Sequence, residues 1–344
     1  MSKRTIEIDG SQGEGGGQVL RTSLTLSLIT SQAFHLRKLR AGRAKPGLQA
    51  QHLMSVKAAA QIGRAKLRGA SLGSCDLVFE PGPVAPGTHE FKIGTAGATG
   101  LVLQTIYLPL ALAGAESTVR IEGGTHVKAS PCFHFLARTW SAYLKALGLD
   151  LDLSMEHAGF YPRGGGLIHA RIAPAPKIHP FQGMTAQVIN RATVFAGVAG
   201  LPTHVSDRLV QTATEHLTEI GLEVEPHRET WQGGPGCMMG IELPTQPAPT
   251  FFFSLGEKGK PAKAVALEAV DHVKAFLGDK QLSVDEHSAD QLLLPLALAE
   301  GPSQFCVSVV SSHLRTNAAV IGHFLARTIQ CEGGTERPGV VRIL

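Results

Sequence analysis

The sequence predicts a mixed α/β protein: three repeats of one α/β unit, with a small α/β domain inserted before the last. Three observations predict it. LPLALA occurs at 108–113 and 294–299, and FLART at 135–139 and 324–328, so two landmarks return in the same order about 190 residues later. Apolar residues switch repeatedly between the spacing of a helix face and the alternation of a strand. The 39 glycines gather in short clusters that punctuate those runs.

The elements follow in order. The first copy is the fainter one: a strand at 5–8, a helix at 18–29, a strand at 34–39, a helix at 48–62, and strands near 65–68 and 75–79. The second copy reads as helix 99–113, strand 117–122, helix 131–147, and strands 150–155 and 167–172. In the third, helix 290–299, strand 304–310 and helix 317–329 lead to a closing strand at 340–344. Pro109 and Pro295 fall inside the first helix of the two clear copies. A mid-helix proline forfeits a hydrogen bond at a cost of about 3 kcal/mol, so its return in register marks a kink belonging to the repeated geometry. Between these copies, 187–200 reads as a strand, 206–220 as a helix, 222–230 as a strand, 233–236 as a glycine turn, 237–243 as a strand and 262–276 as a helix. Phe251 to Phe253 reads as a further buried strand. The expected domains are therefore 1–184 with 280–344, and an insert at 185–279.

A chain of 344 residues is long enough for two cores. An apolar content of 43% and a mean hydropathy of +0.07 indicate a soluble globular protein. Net charge is only +4, so contact with a polyanion must come from local basic clusters. MSKRTIEIDG has no apolar stretch behind its basic residues, which argues against a secretory signal. The longest apolar run, 101–113, is broken by Gln104, Thr105 and Pro109 and is too short to cross a membrane. Five cysteines without CxxC spacing suit a reducing cytoplasm and argue against a zinc site or a disulfide framework.

The strand-to-helix loops carry the chemical signal. The first copy has Arg40, Arg43, Lys45 and Pro46 there, the second His126, Lys128, Ser130 and Pro131, and the third His313, Arg315 and Asn317. Each loop is basic and runs into a helix start, with Ser130 and Asn317 as candidate N-caps and the prolines at first-turn positions. Free N–H groups and the helix dipole favour anions there, so the loops either bind phosphate or present solvated charge. His313 differs in kind: a neutral imidazole is nucleophilic near pH 7 and can carry a phosphoryl or nucleotidyl group, although a histidine in a loop needs no such role. Glu14 stands among Gly13, Gly15, Gly16 and Gly17. Glycine admits phosphate to the backbone and Glu14 can hold a divalent cation, or the cluster is a tight turn with its acid favoured by the helix start. Ser288 with Gln291 has capping-box spacing, leaving Asp290 and His287 at a helix mouth that Gln104 could share. GFYPRGGG at 159–166 reads as a hairpin turn, and Lys258 with Lys260 as solvated charge.

Together these residues resemble the RNA 3′-terminal phosphate cyclase family. The likeness rests on DGSQGEGGGQVLR at 9–21, RAGRAKPGLQAQHL at 40–53, GFYPRGGG at 159–166, DEHSADQLLLPLALA at 285–299 and SSHLRTNAAVI at 311–321, in order along nearly the whole chain. The resemblance implies a nucleotidyl transferase. A histidine at the position of His313 takes AMP from ATP, passes it to an RNA 3′-phosphate, and the vicinal 2′-hydroxyl closes a 2′,3′-cyclic phosphate as AMP leaves. A neighbouring hydroxyl already held in place reaches effective molarities on the order of 10⁵ M or more. Carried over by motif, Glu14 is the carboxylate for Mg²⁺ or Mn²⁺. Gln104, Pro131, His287, Ser288, Ala289, Asp290 and Gln291 line the ATP pocket. Arg21, Arg40, Arg43, Gln51 and His52 meet the RNA terminal phosphate. His287 departs from the family, where many relatives carry an aromatic residue. The resemblance also implies a fold of repeats similar to the C-terminal domain of translation initiation factor three, with a thioredoxin-like insert whose lack of CxxC removes any redox expectation. The implied partner is RNA with a 3′-phosphate end, DNA ends are left open, and no membrane is involved.

Two other readings compete. A catalytically inactive cyclase-like protein of ribosome biogenesis would keep the fold and lose the nucleophile, which the intact SSHLRTN segment opposes. An enolpyruvyl-transferase-like enzyme shares a related repeat architecture but needs no histidine adenylation and would lack this C-terminal motif.

Overall fold

The structure, a computed structural model, describes residues 5–183, 188–278 and 284–344. The expected domain junctions at 184–185 and 279–280, and residue 187 at the head of the expected insert strand, lie outside the described residues. Chain order gives β1 (Ile6–Asp9), α1 (Gly17–Thr30), β2 (Phe34–Arg37), α2 (Ala50–Ile62), β3 (Lys66–Arg68) and β4 (Leu77–Glu80). The second unit is β5 (Thr88–Lys92), α3 (Thr99–Ala111), β6 (Ser117–Gly123), α4 (Phe133–Phe135), a π-helical turn at Leu136–Trp140, α5 (Ser141–Ala146), β7 (Leu151–His157) and β8 (Gly166–Ile172). The insert carries β9 (Arg191–Ala199), α6 (His204–Glu219), β10 (Glu223–Trp231), β11 (Gly236–Leu243), β12 (Thr250–Leu255) and α7 (Ala262–Leu277). The chain closes with α8 (Glu286–Ala297), β13 (Ser303–Val307), α9 (Ser312–Phe324), β14 (Ile329–Glu332) and β15 (Gly339–Ile343).

Sheet order exposes the repeat. The first sheet runs β1-β2-β4-β3 and the second β5-β6-β8-β7, each with its first two strands parallel and the rest antiparallel. The third runs β13-β15-β14, and Val284 bridges in parallel to Val307, where the other units place their opening strand. Helices α1, α3, α8 and α9 pack around a shared core that includes Leu20, Leu24, Ile106, Leu292 and Ile321. Every residue of α3 is buried, Thr99, Gln104 and Thr105 included, because its apolar residues cover all its faces. Pro109 and Pro295 each sit two residues before the end of their helix, so LPLALA is a true structural repeat.

FLART is not. Phe135 lies in the opening turns of the second unit's helix, whereas Phe324 is the last residue of α9. There Leu325 turns extended, and Arg327 donates to the Ala297 and Ala299 carbonyls, covering the C-terminal end of α8. The expected helix 317–329 is therefore replaced by 312–324, and Ile329, expected to end the helix, instead opens β14. Strand β5 was unmarked in the sequence reading although His89 and Phe91 alternate inward along it. Caps also move. Cys132 precedes α4 and its thiol accepts from Phe135 N–H, while Ser130 bonds back to Val127 O. Gln49 caps α2, so Pro46 stays in the loop and accepts from the Gln49 amide.

The insert has its own sheet, β10-β9-β11-β12, covered by α6 and α7 over a core including Val194, Leu209, Ile241 and Val270. It meets the second unit through a hydrogen-bonded chain. Gly159 N–H donates to Thr125 Oγ1 (2.9 Å), and that hydroxyl shares a hydrogen bond with His126 Nδ1 (2.8 Å). His126 Nε2 then reaches His134 Nδ1 (3.1 Å), and His134 Nε2 reaches the Glu229 carboxylate (3.2 Å), which also accepts from Trp231 Nε1 (2.7 Å). The His126 ring packs against both Phe160 and Trp231, and its burial pushes its pKa well below the usual imidazole range.

Candidate active site

The site forms where the glycine turn after β1 meets the first turn of α9. Gly13 adopts φ +63°, and a Cβ there would lie 2.1 Å from Thr316 Oγ1, so only glycine fits. This close approach lets Glu14 N–H donate to Thr316 Oγ1 at 3.0 Å. The Glu14 carboxylate is 5% exposed; its Oε2 accepts from Arg43 at 2.6 Å and lies 3.3 Å from His313 Nδ1. Its Oε1 is buried and has no hydrogen-bond partner.

Sequence reading placed His313 in a loop ending at Asn317, but it occupies the first turn of α9. Ser311 is the N-cap, accepting from Leu314 N–H at 3.1 Å. With Nδ1 turned to Glu14, the His313 ring remains 53% exposed. Asn317 lies inside the helix and joins three elements. It accepts from Thr22 Oγ1 (2.7 Å) and donates to Asp290 O (3.0 Å) and Oδ1 (3.1 Å), while Gln18 Nε2 donates to Thr22 Oγ1 (3.3 Å). Burial raises the Asp290 pKa, against the pull of His313, Arg21 and the Asn317 hydrogen bond. Arg21 bonds Gln18 Oε1 at 2.6 Å; burial lowers its pKa while the charges of Asp290 and Glu14 oppose the change.

Gln104, Arg21, Asp290 and Gln291 converge on one cavity of about 20 Å³, enough for a single water. Neither polar atom of the Gln104 amide has a partner. The remaining predicted pocket residues are differently disposed. Asp285, and not Ser288, caps α8, accepting from His287 N–H and Ser288 N–H. Ser288 is thus a buried helix residue with an unpartnered hydroxyl, Ala289 is fully buried, and His287 is exposed beside Glu286. The Pro131 carbonyl lies beside Gly100 on α3, and Pro131 is outside the cavity lining.

Residues expected to meet RNA phosphate divide in two. Arg43 and Arg21 stand at the carboxylate cluster. Arg40, at φ +54°, uses Nη1 to hold Lys45 O (2.7 Å) and Gly47 O (2.9 Å), shaping its own loop. Gln51 Oε1 accepts from Ala98 N–H (3.1 Å), tying α2 to the start of α3. His52 is driven to a pKa of about 3 by burial and by Arg40 and Arg21. Its Nδ1 accepts from Gln49 N–H (3.3 Å), so the neutral ring turns Nε2–H toward Gly17, where a Cβ would sit 2.6 Å away. Sequence reading missed Thr316, Thr22 and Gln18. Gln18 and Thr22 stand four residues apart on α1, but Ser23, Thr25 and Ser27 make that helix polar elsewhere too, so the spacing did not mark them out.

Among the described residues no group of three or more His, Cys, Asp or Glu forms a metal cage. The free, buried Glu14 Oε1 fits a divalent cation held by one carboxylate with substrate oxygens completing its shell.

An α/β fold of repeated units that places a carboxylate-backed histidine at a helix N-terminus, ringed by arginines, defines a class of anion-handling sites. The family described as RNA 3′-terminal phosphate cyclase matches residues 12–331. The chain is 40% identical over 342 residues to an RNA 3′-terminal phosphate cyclase of Salmonella typhimurium (strain LT2), covering 99% of each. It is 43% identical over 323 residues to that of Koribacter versatilis (strain Ellin345), covering 93% of this chain and 90% of the relative. The chain belongs to the RNA 3′-terminal phosphate cyclase family, a family of enzymes.

Proposed function

We propose that this chain converts an RNA 3′-phosphate end to a 2′,3′-cyclic phosphate at the expense of ATP, with His313 as the covalent carrier of AMP. The observation that carries this is the 3.3 Å approach of His313 Nδ1 to Glu14 Oε2. With Nδ1 facing the carboxylate, the tautomer that carries its proton on Nδ1 keeps the lone pair of Nε2 for attack, and that ring is half exposed. Nε2 forms a bond to the α-phosphorus of ATP as the bond to the β-phosphate oxygen breaks and pyrophosphate leaves. An oxygen of the RNA 3′-phosphate then takes the AMP, breaking the nitrogen–phosphorus bond. The ribose 2′-hydroxyl finally attacks the 3′-phosphorus, losing its proton as AMP departs. Adenylation turns a phosphate oxygen into a good leaving group, and the neighbouring hydroxyl supplies the nucleophile within the same molecule.

Arg43 and Arg21 would bind phosphate oxygens in their planar forks, while Thr316 and Asn317 hold Glu14 and Asp290 in place. A divalent cation on Glu14 Oε1 would neutralise developing charge on the phosphates. The small cavity under Gln104 opens to solvent, where Gln104, Arg21 and Gln291 would meet part of the nucleotide. The sheet orders support units similar to the C-terminal domain of translation initiation factor three and a thioredoxin-like insert, and we place the domains at 1–184 with 280–344 and at 185–279. Five free thiols fit a reducing cytoplasm, and no described helix is long and apolar enough to cross a membrane.

Incubation with α-labelled ATP and Mg²⁺ or Mn²⁺, followed by denaturing electrophoresis, tests the proposal. The wild type retains label and His313→Ala does not. A wild type that takes no label would instead support an inactive member of the family.

A further inference from the structure

The geometry points to the hairpin tip Tyr161-Pro162-Arg163 as a docking platform for the single-stranded RNA that leads to the reacting 3′ end: Tyr161 stacks a base and Arg163 meets a phosphate. This rests on the reading of the chain as an enzyme of RNA ends. Tyr161 is 80% exposed, the only aromatic ring among the exposed large apolar side chains of the described residues. Such exposure leaves the ring face of Tyr161 open to stacking. Arg163, two residues on, is exposed and makes no hydrogen bond or ion pair among the described residues.

The segment beneath them is held on every side. Phe160 is buried against His126 and Trp231, and Gly164 N–H closes the turn onto Phe160 O at 2.8 Å. Ala158 bridges to Gly233 of the insert, and Gly234 runs alongside Arg163. The platform is therefore preorganised, which limits the ordering entropy of binding. It is also one loop away from the candidate site. Gly164 lies against the backbone of Thr95 and Ala96; the same loop continues to Gly97, against Gln51, and to Ala98, which bonds Gln51. Gln51 adjoins His52, whose ring abuts Gly17 beside the Glu14 turn.

An exposed aromatic face beside an unpaired guanidinium suits single strands, because every base has a π-face and every linkage a negative phosphate. The test uses the full chain without ATP and follows fluorescence anisotropy of a single-stranded RNA of about ten nucleotides ending in a 3′-phosphate. Tyr161→Ala should raise Kd roughly tenfold, about 1.4 kcal/mol, with Tyr161→Phe close to wild type. Arg163→Ala should reduce the slope of log Kd against log salt by roughly one. Inhibition of that binding by a nucleoside 3′-phosphate, which has no neighbouring base, should be unchanged in Tyr161→Ala, as should labelling by ATP alone. Unchanged RNA affinity in Tyr161→Ala, an equal loss in Tyr161→Phe, or a Tyr161-dependent self-association of the protein in place of RNA binding would each overturn the platform. A wild type that binds this RNA in a Tyr161-dependent way but takes no label from ATP would overturn the cyclase reading and leave the platform standing.

Discussion

Glu14 is held by three residues: its N–H donates to Thr316, its carbonyl and Oε2 accept from Arg43, and Oε2 faces His313. Replacing Thr316 by valine keeps the shape but strands the Glu14 N–H, a loss of about 1–3 kcal/mol for a buried unpaired donor. Thr316→Val is expected to slow adenylate formation about tenfold or more while urea unfolding shows a stability loss of that size. Glu14→Gln removes the charge that faces His313 and that would hold the proposed cation, so labelling by α-labelled ATP should fall and lose its dependence on a Mg²⁺ titration. His52 governs a different observable. Its folded pKa of about 3 lies below the usual 6.5, so the unfolded chain binds a proton that the folded one refuses. Stability from this group is complete above about pH 6.5 and is lost as the pH falls toward about 3, with a slope of up to about 1.4 kcal/mol per pH unit. Denaturant melts across that window should show a shallower slope in His52→Gln.

At the scale of elements, α9 is the decisive helix because its first turn carries His313 and its next turn Thr316 and Asn317. Its cap, Ser311, is outside the reacting groups, so Ser311→Ala should cost about 1 kcal/mol in urea melts and reduce adenylation through fraying of that turn. The boundary of this helix was misread because Asn317 is a favoured N-cap residue and stands before an apolar run. Its side chain instead satisfies Thr22 and Asp290, which come from helices far away in sequence. FLART misled for a related reason. Five residues shared by two copies carry no information on which neighbours will pack against them, and Arg327 is recruited to the end of α8. LPLALA was legible because its proline and its burial on all sides are properties of the helix itself.

Across the whole molecule, two features act together: the repeated sheets that gather α1, α3, α8 and α9, and the chain Thr125–His126–His134–Glu229 that seats the insert on the second unit. Trp231 covers the His126 ring and is half-buried, so Trp231→Ala should destabilise by about 2 kcal/mol. Limited proteolysis should then cut within 188–278 before the repeats, because the insert loses its stacked contact but keeps its own core.

By itself the sequence determined the α/β class, the duplicated LPLALA helix, and the family-type motifs in which Glu14 and His313 stand. These are local properties, written in periodicity, glycine and proline chemistry and the order of motifs. Only the tertiary structure decided that Thr316 anchors Glu14 from 302 residues away, that Asn317 is a buried link and not a cap, and that Arg40 and Gln51 spend hydrogen bonds on the protein itself. Such roles depend on which donors and acceptors lose water together as the units pack. That pairing is set by the folded geometry of distant segments, and no spacing along the chain encodes it.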